Sequence, residues 1–178
     1  MSKHALSHTT YHDLMVDTSA IIAIYDTRDQ FHQQALEFRD QFILKYEVRL
    51  FTSNYIYSEA MSHLTHLPSE KLREIDQLIH KPSQSDMFRI QELWVNKSTI
   101  DKALPIFFQY KEHNFSVTDC TSFILMHENK ISAAFTFDSD YIIYTYLDGK
   151  DRKAFWKLPE MLNLYLSYLP TTPTIKII

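Results

Sequence analysis

Four acids are spaced along this chain so that each falls at the junction of a hydrophobic run and a polar one. Asp17 follows Leu14-Met15-Val16, Glu59 lies six residues past Ser53, Asp119 closes Ser116-Val117-Thr118, and Asp138 follows Ala133-Ala134-Phe135-Thr136-Phe137. Each has an ordinary explanation as a helix cap, a solvated helix residue or a turn former. Gathered at one place, four carboxylates repel one another, and a divalent cation is the usual remedy. All-oxygen ligation suits hard Mg²⁺ or Mn²⁺ rather than zinc, and such ions bind phosphate oxygens and activate water. The chemistry suggested is phosphodiester hydrolysis.

The elements between the acids say whether they can meet. Strands are expected at residues 14–16, 49–52, 93–95 and 131–137, and helices from 20 through 24, at 32–46, 53–64, 69–79 and 99–110, and from 116 through 126. Pro105 should kink the fifth helix. Segments 141–147 and 154–158 should pair as a hairpin around Asp148 and Gly149, followed by a last helix at 162–169 and a tail or edge strand at 174–178. Alternating strands and helices predict an α/β fold, a three-layer α/β/α sandwich with a mainly parallel central sheet. Ligands of such sheets bind beyond the carboxyl ends of the strands, where the acids fall. Residues 1–12 are expected to be a flexible leader and 13–178 one domain, with a C-terminal extension from about 141.

Composition narrows the alternatives. The 178 residues include one glycine, Gly149, where about 12 would be usual. A P-loop, a dinucleotide fingerprint and a nucleophile elbow, which need several, are excluded. One cysteine, Cys120, excludes an internal disulfide and a multi-cysteine zinc site. No signal peptide or membrane-spanning run is evident, so a cytoplasmic protein is expected. The net charge of -4 argues against an extensive basic nucleic-acid footprint but not against a small site acting on RNA.

Four segments carry a family resemblance: Val16-Asp17-Thr18-Ser19-Ala20, Thr52-Ser53-Asn54-Tyr55 with Glu59, Phe115-Ser116 with Thr118-Asp119-Cys120-Thr121-Ser122-Phe123, and Ala134-Phe135-Thr136-Phe137-Asp138. In order and spacing they are similar to the acidic motifs of PIN-domain ribonucleases, and most of all to VapC-type toxins of toxin-antitoxin pairs. The resemblance runs from about Leu14 to Tyr141. It implies a parallel-sheet domain that binds Mg²⁺ or Mn²⁺ and hydrolyses single-stranded RNA to 5′-phosphate and 3′-hydroxyl ends. Asp17 and Asp119 would be the central metal ligands, completed by Glu59 and Asp138. Thr18, Ser19, Asn54, Thr136 and Asp140 would support those acids or the phosphate, and Asp140 stands where many of the toxins carry His. A cognate antitoxin and a homodimer, through helices near 69–79 and 99–110, are the expected partners.

Lys150, Arg152, Lys153 and Trp156 form the most basic aromatic stretch and are a secondary RNA-binding candidate. His4, His8 and His12 recur every four residues, but with no supporting acid or cysteine they are read as leader rather than ligands. Two other readings compete. One is a non-catalytic PIN-like module for RNA binding or protein contacts. The other is a Mg-dependent phosphatase built on Asp138-Ser139-Asp140, whose late position fits that chemistry poorly.

Overall fold

The computed structural model describes residues 12–46, 48–81 and 89–168. Five of its strands, β1 (His12–Val16), β2 (Val48–Ser53), β3 (Ile90–Leu93), β4 (Ala133–Phe135) and β7 (Trp156–Leu158), form one sheet. Their order is β3-β2-β1-β4-β7, every neighbouring pair parallel. Helices α1 (Thr18–Tyr25), α2 (His32–Phe38), α3 (Asn54–His63), α4 (Ser69–His80), α5 (Lys97–Gln109) and α6 (Val117–Glu128) flank it. This is the three-layer α/β/α arrangement with a parallel sheet that the alternating pattern predicts.

The two middle strands show why it must be parallel and covered on both faces. Leu14, Met15 and Val16 of β1 and all of β4 are buried, which requires apolar cover above and below. Phe38, Phe42, Ile56, Phe123 and Met126 are among the buried side chains that supply it. The register pairs Val16 with Phe135. The residues that leave the two strands, Asp17 and Thr136, therefore emerge side by side.

Several boundaries differ from the sequence reading. Buried His12 is the first residue of β1, so the strand begins within the stretch read as a leader; residues 1–11 lie outside the described residues. The helix expected over 32–46 is α2 followed by a π-helical turn, Arg39–Ile43. Strand β3 ends at Leu93, earlier than expected, because it pairs with β2 through Leu50 to Ser53, and Trp94 beyond it is exposed. Pro105 lies within α5, which continues to Gln109.

The largest correction is C-terminal. Residues 140–143 form a short helix, α7 (Asp140–Ile143), and the hairpin is smaller than expected, β5 (Tyr146–Asp148) with β6 (Asp151–Lys153). Gly149 takes φ +65° in its turn, a left-handed conformation that glycine adopts without steric cost. The segment expected to complete the hairpin instead becomes β7 and joins the main sheet beside β4. Helix α8 (Leu162–Tyr168) then packs against β7, with Tyr165 buried. The expected tail strand at 174–178 lies outside the described residues.

Candidate metal and active site

Asp17 stands at the N-cap position of α1, yet its side chain makes no capping hydrogen bond. Its carboxylate accepts three hydroxyl protons instead. Ser19 Oγ and Thr136 Oγ1 each donate to Oδ2 at 2.8 Å, and Tyr141 Oη donates to Oδ1 at 3.1 Å. Burial pushes its pKa up, and these hydrogen bonds oppose that shift. A carboxylate this deep, fixed by three side chains, is doing something other than starting a helix.

Asp119 is both a cap and a member of a cluster. Ser116 and Asp119 form a capping box at the start of α6: the Asp119 N–H donates to Ser116 Oγ, and Asp119 Oδ2 accepts from both the N–H (2.7 Å) and Oγ (2.6 Å) of Ser116. Asp138 is likewise a turn former. Its N–H donates to Thr136 Oγ1, and its Oδ1 accepts the Asp140 N–H at 2.9 Å, folding the chain into α7. These local bonds are the means by which the backbone aims the acids.

Oxygens of Asp119, Asp138 and Asp140 lie within 4.8 Å of one another. Among the described residues no lysine, arginine or histidine makes an ion pair with any of them. Burial, and then the charges of Asp17 and Asp138, push the Asp119 carboxyl up to about 6 against the bonds from Ser116. Burial, then Asp138 and Asp119, push Asp140 up to about 7. Three carboxylates crowded together, with oxygen donors alone, are the donor set of a hard divalent cation. The residues present fit Mg²⁺ or Mn²⁺.

The close trio differs in membership from the four acids of the sequence reading. Asp140, expected in support, lies with Asp119 and Asp138, whereas Asp17 lies outside the trio, held by its hydroxyls and felt by Asp119 and Asp140 as a nearby charge. Glu59 reaches the same end of the sheet, where Thr18 Oγ1 donates to its Oε2 at 2.6 Å, but it lies outside the trio. Ser19 and Thr136 contact Asp17 as expected of supporting residues. Asn54 does other work: its Oδ1 accepts the Val95 N–H at 2.7 Å and ties α3 to the segment before α5.

Sequence reasoning missed two residues as part of the site, Ser116 and Tyr141. The capping-box spacing marks Ser116 as the partner of Asp119, though not as a support of the site, and nothing local marks Tyr141, whose hydroxyl crosses from α7 to Asp17. The basic stretch is divided. Lys150, Arg152 and Lys153 are exposed on the β5–β6 hairpin, with Lys153 paired to Asp148, while Trp156 belongs to β7 and packs against Tyr165 and Tyr168.

The fold and site define a parallel α/β/α domain with acids gathered where its strands end. The PIN domain family model matches residues 14–146, and the chain belongs to that family of nucleases. Among solved structures, it is similar to the crystal structure of Mycobacterium tuberculosis VapC20, a Sarcin-Ricin loop cleaving toxin. That similarity has a TM-score of 0.63 at 20% identity and covers 79% of this chain and 99% of that one. No curated protein matches. Among the described residues no helix is long and apolar enough to cross a membrane.

Proposed function

We propose that this chain is a Mg²⁺- or Mn²⁺-dependent endoribonuclease acting on single-stranded RNA, and that it is the toxin of a toxin-antitoxin pair. The observation that carries the reading is the trio Asp119, Asp138 and Asp140, close together and without a cationic side chain among the described residues, in a PIN domain. The fold shared with VapC20, a Sarcin-Ricin loop cleaving toxin, supports the narrower toxin assignment.

Within this reading Asp119, Asp138 and Asp140 hold the ion. When bound, it supplies an activated water and neutralises charge on the phosphate. Asp17 would act on Asp119 and Asp140 as a neighbouring carboxyl, and its three hydroxyl donors keep it fixed. Glu59, bonded by Thr18, would complete the site directly or through a water. The exposed bases of the β5–β6 hairpin offer charge to a passing RNA backbone.

Purified protein should cleave single-stranded RNA in Mg²⁺ or Mn²⁺ and stop in excess EDTA. Equal cleavage in EDTA would defeat the metal mechanism, and no cleavage with either ion would favour a non-catalytic module. A homodimer is also proposed, supported by the exposed Trp94, which precedes α5, and Phe108 in the last turn of α5, with exposures of 66% and 68%.

A further inference from the structure

A cleft of about 340 Å³ opens directly beside Asp138, lined by Ser19, Ile22, Asp29, Phe31, Phe137 and Ser139. Its volume is at the small end of ligand pockets, enough for one nucleotide rather than several. The rings of Phe31 and Phe137 stack in parallel, 4.6 Å between centroids and 8° between planes. Phe137 adjoins Asp138 in sequence, and its N–H donates to Ser19 Oγ at 3.0 Å. The same Ser19 hydroxyl donates to Asp17, so the aromatic wall is bonded to the acidic site.

Beside Phe31, the lining carries Asp29. Its Oδ1 accepts the Phe31 N–H at 2.7 Å, which fixes the carboxylate at the start of the Phe31 turn. Among the described residues Oδ2 accepts nothing. The cleft thus combines a pair of half-buried rings stacked on each other, whose outer surfaces are what a base could meet, with an acceptor free at one oxygen among the described residues. Phe137 of that pair is one residue away from a proposed ligand of the ion.

We propose that this cleft is the base subsite of the enzyme, and that it takes a purine. Resting on the ribonuclease reading above, the occupant is the base of a nucleotide adjoining the scissile phosphate. Stacking on an aromatic side chain is the common way proteins hold an unpaired base, and the larger purine ring gains more from it. Asp29 selects for bases with N–H groups on the edge it faces. Guanine offers the most, a ring N–H beside an exocyclic amine, and uracil the least, a single ring N–H; cytosine also carries an exocyclic amine, so the preference for a purine over cytosine rests on the larger stacked ring.

The test uses the full-length protein with Mg²⁺ and a ligand that cannot turn over, 2-aminopurine riboside 5′-monophosphate, whose fluorescence is quenched on stacking. Saturable quenching is expected, with guanosine 5′-monophosphate displacing the probe several-fold better than uridine 5′-monophosphate. Phe31→Ala should weaken binding roughly tenfold, the scale of one lost base stack, and raise KM for RNA while kcat changes little. Asp29→Asn keeps the acceptor for the Phe31 N–H and the shape, so it should fold normally and narrow the gap between guanosine and uridine. Unchanged binding in Phe31→Ala and Phe31→Leu, or equal displacement by the two nucleotides in wild type, would overturn the subsite while leaving RNA cleavage intact. The converse, purine-selective quenching in a protein that cleaves no RNA, would uphold the subsite and remove the nuclease reading.

Discussion

Two groups of carboxylates in this molecule are handled in opposite ways. Between α4 and β3, Asp76 Oδ1 accepts from Tyr57 Oη at 3.0 Å and pairs with His80 Nδ1 at 2.8 Å, while His80 Nε2 faces Glu92 at 3.4 Å. A hydrogen bond from His80, then one from Tyr57, hold Asp76 below the usual carboxylate range, and the bond to Asp76 lifts His80 above the usual imidazole range. At the ends of β1 and β4 the carboxylates have hydroxyl and amide donors but no cationic partner among the described residues, and Asp119 and Asp140 rise instead. Where an acid serves the fold, the chain provides its counter-charge. Where the chain leaves that charge out, the proposed Mg²⁺ or Mn²⁺ would supply it.

The largest expected effect lies in catalysis. Asp119→Asn or Asp138→Asn should reduce RNA cleavage by about a thousandfold or more, with unchanged circular dichroism, because each removes a ligand charge and almost no volume. Asp76→Asn should leave cleavage within about threefold of wild type. Similar losses in both groups would erase the distinction.

A smaller effect is expected in stability. Saturating Mg²⁺ or Mn²⁺ should raise the melting temperature of wild type, by the equivalent of about 2.7 kcal/mol at a hundred times Kd, and leave Asp138→Asn nearly unmoved. Without metal, Asp119→Asn should be more stable than wild type by about 1–2 kcal/mol, since it relieves a buried charge and Asn retains an acceptor for Ser116. Calorimetric melts with and without EDTA measure both.

The pH dependence sharpens the contrast. Asp119 and Asp140 have raised pKa values, so the folded chain holds protons that the unfolded chain releases between about pH 4 and about pH 7. Metal-free stability should fall as pH rises across that window, and Asp140→Asn should flatten the curve. His80 is raised as well, so its contribution is complete below the ordinary imidazole range and is lost as pH rises through its higher folded value. The depressed Asp76 contributes above the ordinary carboxylate range and is lost as pH falls through its folded value. His80→Gln should therefore lower stability by its full amount below about pH 6.5, with the difference fading as pH rises through the folded His80 value, and leave the fall due to Asp140 in place.

The same contrast explains what could be read from the sequence. The acids leaving β1 and β4 and the one opening α6 were legible because strand-then-polar patterns and a capping box place them with local rules alone. Asp140 as a direct member of the trio was not, since its position depends on a turn closed by its own N–H on Asp138. Tyr141 reaches Asp17 across 124 positions of sequence, and β7 finds β4 by a pairing that the nearby hairpin signal at Asp148 and Gly149 obscured. Asn54 was assigned to the site by its place at the end of β2, but its side chain meets a backbone N–H that only the tertiary fold brings near.

The most direct test of the central claim is a calorimetric titration of Mn²⁺ into metal-free protein, run in parallel on wild type, Asp138→Asn and His80→Gln. Saturable binding in wild type and His80→Gln, and its loss in Asp138→Asn, is the predicted result. Binding that survives Asp138→Asn, or that disappears with His80→Gln, would contradict the account.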